Sequence, residues 1–232
     1  MKSSNRHVTT PVMVTPIQSG RFELRRPARY VVNEGDSVRF RVVALHGYGM
    51  NAAGMLDLTR RLLGPGPHIA ALEAPNAFNL GRDPRATASG YNWGTRDTAD
   101  FHIDLHHQMI DGLLAQLGWA AREVLLLGYS QSVGLNYRYV DTHPGCVHAA
   151  VALCGGIPGN WDQGTGQPME TPLLHIARTE DEFFPDQDVA RFEERLRQRA
   201  ADVEFHLLPG RHRFPLSAAT LVQNWTRRVF DF

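Results

Sequence analysis

No charge of either sign is in excess: Lys and Arg together number 24 and Asp and Glu also 24. That balance argues against a nucleic-acid binder, which carries a basic surplus on one face. No apolar run approaches the roughly 20 residues that a membrane-spanning helix needs. The opening residues Met1-Lys2-Ser3-Ser4-Asn5-Arg6 are not followed by an apolar h-region of about 7–15 residues, so no signal peptide is expected. There are only two cysteines, Cys146 and Cys154, too few for a disulfide framework. Both read as small buried hydrophobes in a reducing compartment, and the expected location is the cytoplasm. Internal repeats, low-complexity tracts and long charge blocks are also missing. What remains is an ordinary globular composition, 43% apolar and 21% charged over 232 residues, enough for one α/β domain with a full core.

Along the chain, strand-like and helix-like segments alternate. Val12 to Val32 is broken by Pro16, Gly20 and Pro27 and reads as an antiparallel edge hairpin, so residues 1–36 are expected to supply N-terminal edge strands. Val38 to Leu45 begins with alternation and ends continuously apolar, as in a strand entering a sheet covered on both faces. Ala52 to Leu63 predicts a helix, stopped by Gly64-Pro65-Gly66-Pro67, and His68 to Glu73 a short strand. Ala74 to Asp97 is rich in Gly, Asn, Pro and Arg and reads as one irregular, substrate-side loop; such long loops are often functional. Asp100 to Leu117 is the clearest helix, with Phe101, Leu105, Met109 and Leu113 recurring every fourth residue. The strand Val124–Tyr129, a helix near Ser132–Thr142 and the strand Ala149–Cys154 follow. Then come a loop over Gly155–Pro168, the strand Pro172–Ala177, a helix marked by Val189, Phe192 and Leu196, and the strand Val203–Leu208. A last helix carries Leu221, Val222, Trp225 and Val229, with Ser217 as its N-cap. This alternation predicts an α/β fold with a mainly parallel, doubly wound sheet and helices on both faces, whose ligands gather at the carboxyl ends of the strands.

Chemistry is concentrated at those strand ends. Gly128-Tyr129-Ser130-Gln131-Ser132 follows the apolar run Val124–Leu127, and a Gly-x-Ser turn from strand to helix lifts the serine hydroxyl out of the sheet. An activated serine needs a base within hydrogen-bond reach and an acid that orients the base. The segment after the strand Pro172–Ala177 offers Asp181, with Glu180, Glu182 and Asp186 as neighbouring carboxylates; the spacing to Pro185 favours Asp181. The segment after Val203–Leu208 offers His212, whereas His206 falls inside the strand. Ser132 is read as a packing residue rather than a second nucleophile. Leu45-His46-Gly47-Tyr48-Gly49 ends the first long strand with glycines that let backbone approach a ligand closely. The backbone N–H groups of Tyr48 and Gln131 are the candidate oxyanion donors.

These segments together resemble the phospholipase/carboxylesterase branch of the α/β-hydrolases, which includes acyl-protein thioesterases. The similarity runs from about Arg41 to the C-terminus and includes Tyr91-Asn92-Trp93 ahead of the long helix. The resemblance implies an α/β-hydrolase fold and metal-independent, cofactor-free hydrolysis of carboxylic esters or thioesters through an acyl-enzyme. It implies a triad of Ser130, Asp181 and His212. Two positions depart from the family pattern: Ser132 stands where the elbow usually has Gly, and Ala177-Arg178 where His-Gly usually begins the acid loop.

Other features are weaker. His102, His106 and His107 share a helix, but the Glu of His-Glu-x-x-His is absent and they read as surface or boundary residues. Gly47-Tyr48-Gly49 lacks both the spacing and the Lys-Ser/Thr of a nucleotide loop. Tyr91, Trp93, Phe183 and Phe184 are candidates for lining an acyl pocket, although each residue type is more often plain core. The expected partner is a small ester or thioester, lysophospholipids included, with no nucleic acid and no membrane span; oligomeric state is unreadable. A non-catalytic ligand-binding protein on the same scaffold is the alternative, because fold alone does not fix function.

Overall fold

The computed structural model describes residues 22, 26–36, 39–81, 89–95, 99–159, 161 and 168–232. Its centre is a seven-stranded sheet in the order β1-β3-β2-β6-β7-β8-β9. The strands are β1 (Tyr30–Asn33), β2 (Arg41–Leu45), β3 (His68–Leu72), β6 (Val124–Tyr129), β7 (Ala149–Leu153), β8 (Leu173–Glu180) and β9 (Val203–Arg211). All neighbours pair in parallel except β1, which runs antiparallel to β3 at the edge, with Tyr30 opposite Leu72. The edge strand therefore exists, but most of the hairpin expected over Val12–Val32 lies outside the described residues.

Side-chain alternation along the strands builds two cores. Val43, Leu45, Leu126, Ala150 and Ala152 face α2 (Ala99–Leu117), α3 (Gln131–Thr142) and α5 (Phe192–Arg199). Val42, Ala44, Leu125, Leu127 and Val151 face α1 (Ala52–Leu63) and α6 (Ala219–Val229), which contribute Met55, Leu62, Val222 and Trp225. The continuous apolar run of β6 is thus explained by burial on both faces. α1 matches its expected bounds and is capped by Asn51, whose side chain accepts the Gly54 N–H at 2.8 Å. Among the described residues no helix is long and apolar enough to cross a membrane.

Several expectations are corrected. Residues 74–97 are not one irregular loop: β4 (Asn76–Asn79) and β5 (Ser89–Asn92) form a separate antiparallel hairpin. Its polar, Asn- and Gly-containing strands lack any apolar alternation, because neither packs into the main sheet. The helix expected around Val189, Phe192 and Leu196 is split into α4 (Asp186–Val189) and α5, with the Arg191 N–H turning back to the Asp188 carbonyl at 3.2 Å. Ser217 is no N-cap; it sits inside a 3₁₀ turn, Leu216–Ala218, and α6 begins after Ala218 without a side-chain cap. Cys154 is buried, but Cys146 is only half-buried.

His106 and His107 are interior, not boundary, residues, at 1% and 8% exposure. His106 Nε2–H donates to Asn136 Oδ1 at 3.1 Å and its ring meets Trp93 edge-on. His175 on β8 accepts the Tyr137 hydroxyl at 2.6 Å between stacked rings. Burial pushes both His106 and His175 down from 6.5 to about 3, so the folded protein holds them neutral. Above pH 6.5 they are neutral in the folded and unfolded chain alike. As pH falls from there towards 3, the unfolded chain takes up protons that the folded chain refuses, and stability drops by about 1.4 kcal/mol per pH unit for each histidine. Urea unfolding measured between pH 7 and pH 4 is expected to show this loss, and His106→Gln is expected to reduce the slope by about one proton's worth.

Candidate functional site

The turn that ends β6 sets the site. Gly128 packs against α3: a Cβ there would stand 2.5 Å from Asn136 Nδ2, so a larger residue would displace the buried Asn136 side chain. Ser130 follows with φ 54 and ψ −113, a left-handed conformation that strains a residue with a Cβ. Its N–H donates to the Leu153 carbonyl on β7 at 2.9 Å, which ties the turn to the neighbouring strand. Ser132, where close packing usually asks for glycine, is fully buried. Its hydroxyl donates to the Leu45 carbonyl at 2.8 Å and accepts the Tyr129 N–H at 3.0 Å, joining the ends of β2 and β6.

β8 and β9 both run farther than expected, to Glu180 and Arg211, and deliver two side chains to the same rim. His212 Nδ1–H donates to Asp181 Oδ2 at 2.7 Å. The Ser130 hydroxyl donates to His212 Nε2 at 2.8 Å. Three residues separated by 31 and 82 positions along the chain form one line of hydrogen bonds. Asp181 is buried, and its other oxygen accepts the Phe183 and Phe184 N–H groups at 2.9 and 3.2 Å. Neither Glu180 nor Glu182 is hydrogen-bonded to the imidazole. Glu182 accepts the His212 backbone N–H at 3.0 Å and pairs with Arg211 at 3.3 Å, and these contacts hold its carboxyl below the usual range. Glu180 is exposed, and the side chain of Asp186 lies outside the described residues. His206 is occupied by Glu204 at 2.8 Å in the middle of β9. Tyr129 stacks on the His212 ring at 5.7 Å and Phe183 meets it edge-on at 4.7 Å.

The segment after β2 closes the other side. A Cβ on Gly47 would stand 3.0 Å from the Ser130 Cβ, so the loop passes directly over the serine. β5 pins it: the Gly49 N–H donates to the Tyr91 carbonyl and the Tyr91 N–H to the Met50 carbonyl, both at 2.9 Å. Buried His46 donates from Nδ1 to the Gly47 carbonyl at 2.8 Å and accepts the Ala74 N–H at Nε2 at 3.0 Å. Burial holds its pKa below the ordinary histidine value. The Trp93 indole N–H donates to the His46 carbonyl at 2.8 Å. Sequence reasoning gave Gln131 only a backbone role, yet its side chain accepts the Trp93 N–H at 3.1 Å and donates to the Gly94 carbonyl at 2.9 Å. The side chain of Tyr48 is exposed and rests against Phe78.

A cavity of about 290 Å³ opens at Ser130, lined by Gln131, Trp93, Leu135, Ile157 and Phe184 among others. Of the four aromatic candidates it holds Trp93 and Phe184. Tyr91 is absent from its wall; its hydroxyl accepts from Arg29 at 2.9 Å while its backbone clamps the Gly49 loop. Phe183 is 69% exposed and lines a neighbouring groove instead.

No family model and no curated protein matches the sequence. Solved structures do: an esterase PE8 matches with a TM-score of 0.71 at 20% identity, covering 87% of this chain and 99% of the other. A Bacillus cereus carboxylesterase matches at 0.66 and 15% identity over 87% and 94%. A phospholipase/carboxylesterase from Dyadobacter fermentans matches at 0.61 and 23% identity over 85% and 95%. The chain has the α/β-hydrolase fold. In this fold, Ser130, Asp181 and His212 stand at the carboxyl ends of β6, β8 and β9, where such sheets gather their ligands.

Because the Ser132 hydroxyl bridges the Tyr129 N–H and the Leu45 carbonyl, Ser132→Ala would remove both buried contacts. The expected cost is about 1–3 kcal/mol, read by urea or thermal unfolding.

Proposed function

We propose that this protein is a serine carboxylesterase that hydrolyses carboxylic esters through an acyl-enzyme on Ser130. The observation that carries the reading is the unbroken hydrogen-bonded line from Ser130 Oγ through His212 to Asp181, beside a mostly apolar cavity. In this reading His212 takes the Ser130 proton as the hydroxyl attacks the ester carbonyl, then returns it to the departing alcohol. Water attacks the acyl-enzyme in the same way and regenerates the serine. Asp181, held by two backbone N–H groups, fixes the imidazole tautomer and stabilises the imidazolium. The Tyr48 and Gln131 amides are the oxyanion donors. Gln131 opens a helix, where backbone N–H groups lack intrahelical partners, and Gly47 carries the Tyr48 loop over the serine.

Trp93 and Phe184 are the proposed substrate contacts. The modest cavity favours short acyl groups over long ones. Thioesters and lysophospholipids are chemically adjacent substrates for the same machinery. A single domain, a cytoplasmic location and a small-molecule partner belong to the same proposal. The competing reading, a ligand-binding protein on a hydrolase scaffold, gives no reason for a strained serine aimed at a histidine.

The test is labelling with a fluorophosphonate probe together with turnover of a p-nitrophenyl ester series. Wild type and Ser132→Ala are expected to label and turn over, with acetate or butyrate preferred to palmitate, and Ser130→Ala to do neither. Asp181→Asn is expected to lower kcat by about 10⁴-fold. A wild-type protein that neither labels nor turns over any member of the series overturns the reading.

A further inference from the structure

The segment that carries His212 leaves β9 through an irregularity. Arg178 on β8 stands opposite Leu208, but Glu180, two residues on, stands opposite Arg211. A regular parallel ladder would set Glu180 against Gly210, so β9 holds one extra residue between these pairs. Gly210 absorbs it with φ +126, a conformation that a side chain rarely tolerates. A bulge of this kind re-aims every side chain after it, and the first of consequence here is His212.

A buried side chain occupies the bulge. Arg178 is 8% exposed, and its Nη1 donates to the Pro209 carbonyl at 2.8 Å. A Cβ built on Gly210 would sit 3.6 Å from the same Nη1, so the guanidinium lies directly under the extra residue. The far end of the segment is held from the same side: the Cys154 thiol donates to the Arg213 carbonyl at 3.4 Å. Arg178 also lies beside that thiol, and burial pushes the Cys154 pKa up to about 12, so the S–H donor persists across the working pH range. Arg178 lines no part of the cavity at Ser130.

We propose that Arg178 is a positioning residue: its guanidinium holds the β9 bulge through the Pro209 carbonyl and so aims His212 at Ser130. The proposal rests on the reading of His212 as the base. Without the guanidinium, the Pro209 carbonyl loses its donor and the bulge can relax. A displacement of about 1 Å in a reacting group costs on the order of 100-fold in rate.

Arg178→Met, Arg178→Gln and Arg178→Lys would be compared with wild type and Ser130→Ala. The measurements are thermal unfolding, kcat and KM on a p-nitrophenyl ester, and the downfield proton resonance of the His212–Asp181 hydrogen bond. Arg178→Met is expected to lose that resonance and about 100-fold in kcat with KM changed less than about twofold. Added guanidinium, at concentrations that leave the unfolding midpoint unchanged, is expected to restore part of both. Arg178→Lys, which keeps a donor on a long stem, is expected to stay within about tenfold of wild type. If Arg178→Met fails to fold, Arg178→Gln carries the same measurements. A folded variant with wild-type kcat and an intact resonance overturns the proposal. So does a loss that neither guanidinium nor Lys recovers, which would mark plain structural support. If wild type and Ser130→Ala are equally inactive, the hydrolase reading fails, yet the resonance and its response to Arg178 still decide whether this side chain aligns the imidazole.

Discussion

The turn from β6 into α3 constrains everything around it. At Gly128 the strand meets the buried Asn136 side chain of α3 with no room for a Cβ unless that amide moves, and the residue two positions on adopts a left-handed backbone to make the corner. That conformation costs on the order of 1–3 kcal/mol for a residue other than glycine, so it persists only because the surroundings over-determine it. The Leu153 carbonyl, the Ser132 hydroxyl and the Gly47 backbone all close on the same few atoms. The corner thrusts the Ser130 hydroxyl out of the sheet, and the ends of β8 and β9 bring an imidazole and a carboxylate to meet it.

Polar order around that corner comes in two kinds. Asp181 is satisfied by backbone N–H groups two and three residues on, so its orientation is local to its own loop. The opposite wall is assembled over long range. His46, Ala74, Trp93, Gly94 and Gln131 exchange hydrogen bonds between four separate stretches of chain. Buried networks of this sort rigidify when every member is satisfied, and here they secure the loop that passes over the serine.

The readable parts of the sequence were those with strong local physics. Continuous apolar runs between turn residues located β6 and β7, and the stop Gly64-Pro65-Gly66-Pro67 bounded α1. The order of Ser130, Asp181 and His212 at strand ends pointed to the three side chains that meet. What stayed hidden depends on contacts between distant residues. β4 and β5 carry no apolar alternation, because they stand outside the main sheet and pair with each other. His106 and His107 are polar by composition, and only the packing of α2 against α3 and Trp93 takes them inside. The bridging side chain of Gln131 and the buried guanidinium of Arg178 have no sequence signal beyond being unusual neighbours of the motif. Aromatic character does not disclose direction, so the sequence leaves pocket and core open for Tyr91 and Phe183: one ring meets Arg29, the other lies open beside His212.

The pairing of Tyr91 with Gly49 and Met50 couples two structures that are separate in the sheet diagram. In an antiparallel pair, a slip of one residue reverses which face each side chain takes and exchanges its hydrogen-bonding partners. A single insertion within β5 would therefore tilt the loop beside Ser130 as well as the hairpin. The outline of the rim beside Ser130 is thus set by how β5 is paired, and not by the main sheet alone.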